Sequence, residues 1–346
     1  MHRHYYLELA RQGLRMPIGT HLMLHRQPDA DAIMCDGERL GAVVVETACR
    51  FATPLAMPLM DLSLEKTALL LACDVPAAEV ERWHFTDLPD KPAMIPLTPR
   101  MKATCQGITY VATQPDLLPM GMGIGPFSLM TKLISDPIMP VFLAGSGLTG
   151  EDDPEVALME RLLSLAEQVI HRYLQAQIDA GAKALIICEP AANSVYFSPK
   201  QQDETAYAAF DRYVIDPMQR IAALLRQRDV DLVFHDCGEL TDTMVRRFST
   251  LGATMISLGC SRKLWEDAAL IPKDTILYGN LPSKRFYARE LSPVDVAQMA
   301  GELLANMVAV GHPFILGTEC DVLSVPGSEA EIMSKVDAFM TCPVPR

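Results

Sequence analysis

The sequence lacks the long apolar runs and the basic excess that mark membrane proteins and nucleic-acid-binding proteins. No apolar run approaches the roughly 18 residues of a transmembrane helix, and the N-terminal stretch MHRHYYLELARQG has no apolar core like that of a signal peptide. Lys and Arg number 30 against 43 Asp and Glu, which gives a formal net charge of -13. A phosphate backbone requires a basic patch. We therefore expect a cytoplasmic protein with no membrane and no nucleic-acid partner.

A disulfide framework and the common phosphate-binding and hydrolase motifs are also missing. The nine cysteines are odd in number and widely spaced, unlike the cysteines of a small secreted scaffold. The sequence contains no P-loop, no GxSxG and no EF-hand loop. Hydrophobic residues make up 49 % of the chain, which is enough for a large core. The cysteines are thus expected to be buried in that core or to bind a metal.

Short apolar runs alternate with helical patterns along the chain. Strands are predicted at 16–19, 55–60, 117–125, 183–188, 230–235, 253–258, 275–279 and 313–317. Helices are predicted near 154–180, 199–228 and 239–250. A further helix is predicted to begin at the N-cap Ser292 and to end near Gly311, and the last one follows a possible capping box of Ser328 and Glu331. About eight such units favour an α/β fold of the (β/α)8 TIM barrel type over an open doubly wound sheet. We expect one barrel domain over residues 1–346, with 61–116 as an insertion or N-terminal excursion.

Polar and metal-binding residue types collect immediately after the predicted strands. They are Glu189, His235, Cys237, Cys260, Asn280 and Cys320. In a TIM barrel the active site is built at the C-terminal ends of the strands, from residues of several different strands. The sequence therefore predicts a functional site at that end of the barrel.

The most specific group in this set is His235-x-Cys237 together with Cys320. One imidazole and two thiolates suit Zn²⁺, and three protein ligands leave a fourth position open, as in catalytic zinc sites. Positions i and i+2 of a strand share a face, so His235 and Cys237 can both point into the barrel mouth. The alternative is two buried cysteines and a histidine that only makes hydrogen bonds.

Other residues have weaker signals. Glu189 is a candidate general acid or base, a metal ligand or a substrate-orienting group, and the alternative is a structural carboxylate at a strand end. The stretch GMGIG at 121–125 indicates close backbone packing or a ligand-facing loop. His21 and His25 lack the glutamate of HExxH, which favours a structural role.

With these residues in hand, the chain resembles the uroporphyrinogen decarboxylase superfamily, and within it the zinc-dependent corrinoid methyltransferases of the methylcobamide:coenzyme M type. The resemblance covers about residues 117–341. It rests on GPFSLMTKL (125–133), CEPAANS with FSPKQ (188–201), FHDCGEL (234–240), LYGNL (277–281) and FILGTECDV (314–322). PLMDLSLE (58–65) is similar to an early segment that reaches the site in this family.

The resemblance implies a (β/α)8 barrel that binds Zn²⁺ through His235, Cys237 and Cys320. The zinc would hold an acceptor thiol as a thiolate that takes a methyl group from a corrinoid, and Glu189 would be a catalytic group. It also makes Asp61 and Asn280 candidate cofactor-binding residues. The chain has no DxHxxG cobalamin-binding motif, so the corrinoid is expected on a partner protein rather than bound tightly to this chain.

Two departures from the family pattern and three alternatives remain. The region RQGLRMPIG (11–19) is not the arginine motif that binds substrate carboxylates in the decarboxylases, and GNLPS replaces GNxDP. A decarboxylase-like lyase on a tetrapyrrole or other acid would need a cationic pocket, for which Arg11 and Arg15 are the early candidates. A tetrahydrofolate-linked methyltransferase is a second alternative. A zinc-binding or corrinoid-binding accessory protein is a third, with Cys260 or Glu189 as fourth zinc ligand. Homo-oligomerisation stays open.

Overall fold

The computed structural model describes residues 3–343 and contains eight parallel strands. The strands are β1 (Arg15–Ile18), β2 (Leu55–Ala56), β3 (Leu118–Ile124), β4 (Ala184–Cys188), β5 (Asp231–Asp236), β6 (Met255–Leu258), β7 (Ile276–Leu281) and β8 (Phe314–Asp321). They are hydrogen-bonded in the order β1-β8-β7-β6-β5-β4-β3-β2. Beyond the ends of β1 and β2, the Thr20 hydroxyl donates to the Met57 carbonyl at 2.7 Å. The sheet is that of an α/β (β/α)8 barrel, as the sequence predicts.

Sixteen α-helices lie among the described residues, and the longer ones cover the sheet. They are α1 (Arg3–Arg11), α2 (Thr20–Leu24), α3 (Ala30–Ile33), α4 (Gly37–Arg50), α5 (Leu64–Ala72), α6 (Pro99–Ala112), α7 (Pro126–Thr131), α8 (Ile138–Gly145), α9 (Pro154–Asp179), α10 (Pro199–Glu204), α11 (Ala208–Phe210), α12 (Asp216–Gln227), α13 (Asp242–Phe248), α14 (Leu264–Asp267), α15 (Pro293–Val310) and α16 (Glu329–Thr341). In this part of the chain no helix combines the length and the apolar character needed to cross a membrane.

All eight predicted strands are present, and two helix predictions needed correction. The predicted helix over 199–228 is divided into α10, α11, a π-helical turn and α12, because Ala206 and Tyr207 have positive φ angles of 53° and 64°. Ser292 forms the capping box with Asp295 at the start of α15. The predicted capping box of Ser328 and Glu331 is wrong, because the Ser328 side chain makes no capping hydrogen bond within the described residues.

The segment 61–116 contributes two helices that lie between β2 and β3. Helix α5 packs on α9, and α6 packs on α4 and β3. Thr98 caps α6 by accepting a hydrogen bond from the Met101 amide, and Pro99 occupies the first turn. The segment therefore adds to the helical layer of the barrel, and the assignment of residues 1–346 to one domain stays a prediction.

The barrel interior is filled by alternate strand residues and closed at one end by α1. Interior side chains include Met16, Ile18, Leu55, Met120, Met122, Ile186, Val233, Met255, Ile276, Tyr278 and Ile315, together with Tyr6 and Leu9 of α1. Arg3 of α1 donates to the carbonyls of Gly252 and Asp274, which lie just before β6 and β7. Helix α1 therefore covers the N-terminal ends of the strands, and the opposite, C-terminal ends form the mouth.

The glycines of β3 allow two helix side chains to complete its edge. A Cβ atom at Gly121 would lie 2.3 Å from Oε1 of Gln177, and one at Gly123 would lie 3.0 Å from Oε1 of Glu65. The Gln177 side chain accepts a hydrogen bond from the Met122 amide at 2.8 Å and donates one to the Met122 carbonyl at 2.9 Å. Strand β2 is too short to pair with this part of β3, so side chains satisfy the backbone there. The stretch GMGIG thus serves close packing.

Candidate metal centre

Three metal-binding side chains meet at the mouth of the barrel. One donor atom each of His235, Cys237 and Cys320 lies within 4.8 Å of the other two. His235 lies in β5 and Cys237 directly follows it, while Cys320 lies near the end of β8. His235 is 1 % exposed, and both cysteines are half-buried. The structure therefore brings together the three residues that the sequence selected.

A bulge in β8 is what points Cys320 toward the other two. Met16 of β1 pairs with Gly317 of β8, and Ile18 of β1 pairs with Asp321 of β8. Between these two pairs β1 advances by two residues, whereas β8 advances by four. The additional residues of β8 interrupt the alternation of side chains, as bulges near functional sites commonly do. The Ser283 hydroxyl donates to the Cys320 carbonyl at 2.9 Å and fixes the bulged backbone.

The histidine is oriented as a metal ligand would be. Its Nδ1 lies 2.9 Å from the hydroxyl of Ser257 in β6. Its Nε2 is buried and has no hydrogen-bond partner within residues 3–343. Metal-binding histidines use one ring nitrogen for the metal and the other for a polar neighbour that fixes the tautomer. A buried imidazole nitrogen left unpaired beside two sulfur atoms fits Zn²⁺.

Replacing Ser257 with alanine is expected to weaken zinc binding by about 10- to 100-fold, since Ser257 orients the His235 ring. The affinity is measured by competition with a chromophoric chelator. Ser261→Ala is the matched control, because the exposed Ser261 hydroxyl reaches only the Gly238 carbonyl, at 3.5 Å. Equal zinc affinity in Ser257→Ala and the control would show that Ser257 does not orient the ligand.

The pKa values of the two cysteines shift in opposite directions because the thiols lie next to each other. Hydrogen bonding from Cys320, followed by the neighbouring His235 and Lys284, lowers the pKa of Cys237 to about 3. The same hydrogen bond, together with burial, raises the pKa of Cys320. A thiolate is the form that binds a metal. The lowered pKa of Cys237 therefore favours the form of this thiol that could bind a metal.

Glu189 lies at the end of β4 and binds the start of α7. Its carboxylate accepts hydrogen bonds from the backbone amides of Phe127 and Ser128. The side chain is fully buried, and burial raises its pKa to about 7. Glu189 is not one of the three clustered ligands. Its catalytic role stays a prediction, and the contacts seen here are those of a carboxylate at a helix start.

Asp61 and Asn280 make contacts within the protein. Asp61 accepts from the amide and hydroxyl of Ser63 and forms an ion pair with Arg100. The Asn280 amide donates to the carbonyls of Gly259 and Arg262, at 2.8 and 2.9 Å, and holds the loop that follows β6. Their roles as cofactor-binding residues stay predictions.

Cys260, the other candidate for a fourth ligand, is not one of the three clustered residues. Its amide donates to Oε2 of Glu319 at 3.1 Å, and burial together with Glu319 raises the pKa of its thiol. His21 is also separate, since its Nδ1 accepts from the Ser324 amide and its ring stacks on His25. Neither Cys260 nor His21 belongs to the cluster of donor atoms found among the described residues.

Sequence reasoning missed three neighbours of the site. Ser257 is a polar residue in an otherwise largely apolar strand, and this was the one sequence feature that could have indicated its role. Met60 places its sulfur 3.8 Å from the Cys320 sulfur. Lys284 lies in the turn after β7, and the charges of the two cysteines raise its pKa. Nothing in the sequence distinguishes these two from other methionines and lysines.

The fold and the site define a parallel (β/α)8-barrel protein with a candidate metal centre at the C-terminal mouth. Residues 74–337, more than half of the chain, match the uroporphyrinogen decarboxylase (URO-D) family. The chain belongs to this family.

Curated relatives agree with this assignment, and a solved structure shares the fold. The uroporphyrinogen decarboxylase of Dechloromonas aromatica is 26 % identical over 186 residues, which are 52 % of this chain and 48 % of that protein. The enzyme of the same name from Methylibium petroleiphilum is 25 % identical over 188 residues, 53 % of this chain and 47 % of that one. The chain thus matches about half the length of these relatives. A methyltransferase from Methanosarcina mazei shares the fold with a TM-score of 0.69 at 16 % identity, covering 94 % of this chain and 93 % of that one.

Proposed function

We propose that this protein is a zinc-dependent methyltransferase that moves a methyl group between a corrinoid, carried by a partner protein, and a thiol acceptor. The observation that carries the proposal is the cluster of His235, Cys237 and Cys320 at the mouth of the barrel. Its three donors are the nitrogen and sulfur ligands that zinc prefers, and they leave a coordination position for a substrate. The fold shared with the Methanosarcina mazei methyltransferase is consistent with this proposal.

Zinc bound by these three residues would hold an acceptor thiol in its thiolate form, which is the nucleophilic form. The protein supplies the rest of the arrangement. Ser257 leaves Nε2 of His235 available, and Ser283 holds the Cys320 backbone. The mouth lies at the C-terminal ends of the strands, opposite α1, so the acceptor and the corrinoid domain would approach from that side.

The names of the curated relatives favour a decarboxylase. The positions of Arg11 and Arg15, the two arginines considered for binding substrate carboxylates, argue against that function. A decarboxylase-like lyase would need cationic groups at the mouth. Arg15 is the first residue of β1, at the closed end of the barrel, and its guanidinium donates to the carbonyls of Phe339, Met340 and Cys342. Arg11 of α1 pairs with Glu8. Neither arginine reaches the mouth.

The function is tested by incubating the zinc-loaded protein with methylcobalamin and a panel of small thiols. In the expected reaction the sulfur–carbon bond forms as the methyl–cobalt bond breaks, and the cobalt keeps the electron pair. Thioether formation, followed by mass spectrometry, is expected with the zinc-loaded protein and not with the protein stripped of metal.

Parallel reactions separate the alternatives. Methyl transfer to tetrahydrofolate without zinc would support the folate-linked reading. Loss of CO₂ from uroporphyrinogen would support the lyase. Either result, combined with no thioether from any thiol, would overturn the proposal.

A further inference from the structure

A cavity of about 630 Å³ lies at the closed end of the barrel, opposite the candidate metal centre. Its walls come from α1 and the residues after it, from the residues before β7, from α15, and from the start of β8. Most of the wall is apolar and includes Leu7, Leu14, Leu304, Met307, Phe314 and Leu316. Sites for small molecules typically have volumes of roughly 300–1,000 Å³ and largely apolar walls. The cavity is therefore large enough for an organic ligand.

The basic side chains of this cavity outnumber the acidic ones. Arg11, Arg15 and Lys273 line it, and Asp274 is the one acidic lining residue in the described part of the chain. Asp274 is already paired with Arg3, at 3.3 Å. The cavity therefore has a surplus of positive charge at its walls, which favours a ligand with an anionic group.

Lys273 keeps a donor for such a group. Its ammonium donates to the carbonyls of Val310 and Gly311, at the end of α15, at 3.1 and 3.3 Å. Within residues 3–343 it forms no ion pair with a carboxylate. An ammonium has three N–H donors, so one of them remains after the two carbonyls are bonded.

A buried histidine of the same wall has an unused ring nitrogen. His312 is 5 % exposed, and its Nε2 lies 2.9 Å from the Thr275 carbonyl. A carbonyl only accepts hydrogen bonds, so Nε2 carries the proton and Nδ1 of the neutral ring is an acceptor. Nδ1 is buried and has no hydrogen-bond partner among the described residues. Since buried polar atoms normally have a partner, this atom indicates a ligand that brings a proton. A carboxylic acid does so, and its second oxygen accepts from an ammonium.

We propose that the cavity at the closed end binds a small apolar carboxylic acid, with its hydrocarbon part among the aliphatic side chains and its carboxyl group at Lys273 and His312. No residue of the candidate metal centre takes part, so this inference does not depend on the proposed function. The ligand would join α1, α15 and β8, and it would stabilise the folded protein because it binds that state alone.

The test measures binding of decanoate, a ten-carbon carboxylate, by isothermal titration calorimetry, together with the Tm with and without decanoate. Ala10→Phe fills the cavity, because Ala10 lines it. Lys273→Met removes the charge and keeps most of the side-chain length. Lys200→Met is the matched control, since Lys200 lies in α10, outside the cavity, and its side chain is 87 % exposed. 1-Decanol offers a hydrocarbon chain of the same length without the carboxyl group.

Wild-type protein is expected to bind one decanoate per chain and to unfold at a higher Tm in its presence. Lys273→Met is expected to weaken binding about tenfold, the factor that corresponds to the loss of a charge-assisted hydrogen bond. 1-Decanol is expected to bind more weakly than decanoate by about the same factor. Ala10→Phe is expected to bind no decanoate, and Lys200→Met is expected to match the wild type.

Four results would overturn the inference. The first is no binding of decanoate to the wild type, and the second is wild-type affinity in Lys273→Met, which keeps the test decisive if Ala10→Phe does not fold. The third is equal affinity for 1-decanol, which would show a site without preference for a carboxyl group. The fourth is self-association that excludes decanoate and is broken by Val308→Lys, since Val308 lines the cavity and is 67 % exposed. That result would assign the cavity to a second copy of the chain. None of these measurements involves zinc, so the proposed function stands or falls separately.

Discussion

Cys320→Ser is expected to lower the zinc content of the purified protein from about one ion per chain to near zero. A serine hydroxyl stays protonated at neutral pH and offers no thiolate, so the site would keep two of its three ligands. Removing only an outer partner of a metal ligand already costs 10- to 100-fold in affinity, so loss of a ligand is expected to exceed about 100-fold. Elemental analysis and chelator competition measure the two effects.

Cys260→Ser is the matched control for this experiment. Cys260 follows β6, which is separated from the Cys320 strand β8 by β7, and lies at the same end of the barrel. Its amide donates to Glu319, and Glu319 also raises the pKa of its thiol. Its replacement is expected to leave zinc content and affinity unchanged. If both variants kept full zinc, the metal would lie elsewhere. If Cys260→Ser lost zinc as completely as Cys320→Ser, Cys260 would be a fourth ligand.

Much of the fold was predictable because strands buried on both faces read as continuous apolar runs. That pattern located all eight strands, although β2 proved to be only Leu55–Ala56 where 55–60 was predicted. Pro58 explains part of the difference, since proline has no amide to donate to a neighbouring strand. The break near Ala206 and Tyr207 was not predictable, because the surrounding ETAYAAF contains neither glycine nor proline.

The clustering of His235, Cys237 and Cys320 was predictable from the sequence, but the surroundings of the cluster were not. His235 and Cys237 were placed by the two-residue period of a strand. The strand period does not explain the position of Cys320. Strand β8 continues beyond residue 317, where the prediction ended it, and its bulge positions Cys320. A bulge depends on the pairing of β8 with β1, and pairing register is not visible in one strand's sequence. Ser257 and Lys284 were missed for the same reason, because each comes from another strand or turn.

Gly317 lies in β8, packed against the Tyr278 ring and three residues before Cys320. Gly317→Ala is expected to be strongly destabilising. A Cβ atom at this position would lie 2.3 Å from two ring carbons of Tyr278. The ring cannot move freely, because its hydroxyl donates to the Met16 carbonyl and accepts from the Thr318 amide. Overpacking of a filled interior typically costs 1–3 kcal/mol, and we expect about 3 kcal/mol here, measured by urea unfolding.

Gly301→Ala is the control, since a Cβ atom there meets nothing within 4 Å. Gly301 lies inside helix α15, so this alanine is expected to stabilise the protein by about 0.5–1 kcal/mol. Tyr278→Leu combined with Gly317→Ala tests the cause, because removal of the ring should make the double variant less unstable than the sum of the two changes. Strict additivity would show that the collision with Tyr278 is not the source.

The same substitution is expected to weaken zinc binding, although Gly317 is not one of the three candidate ligands. Gly317 is the β8 residue that pairs with Met16 just before the bulge, and Cys320 lies three residues further along the bulged backbone. An outward shift of this backbone away from the Tyr278 ring would carry the Cys320 sulfur away from His235 and Cys237. Lower zinc affinity in folded Gly317→Ala, with Gly301→Ala unchanged, would show that close packing inside the barrel positions the third ligand. Unchanged affinity would show that the Ser283 hydrogen bond alone is enough to hold it.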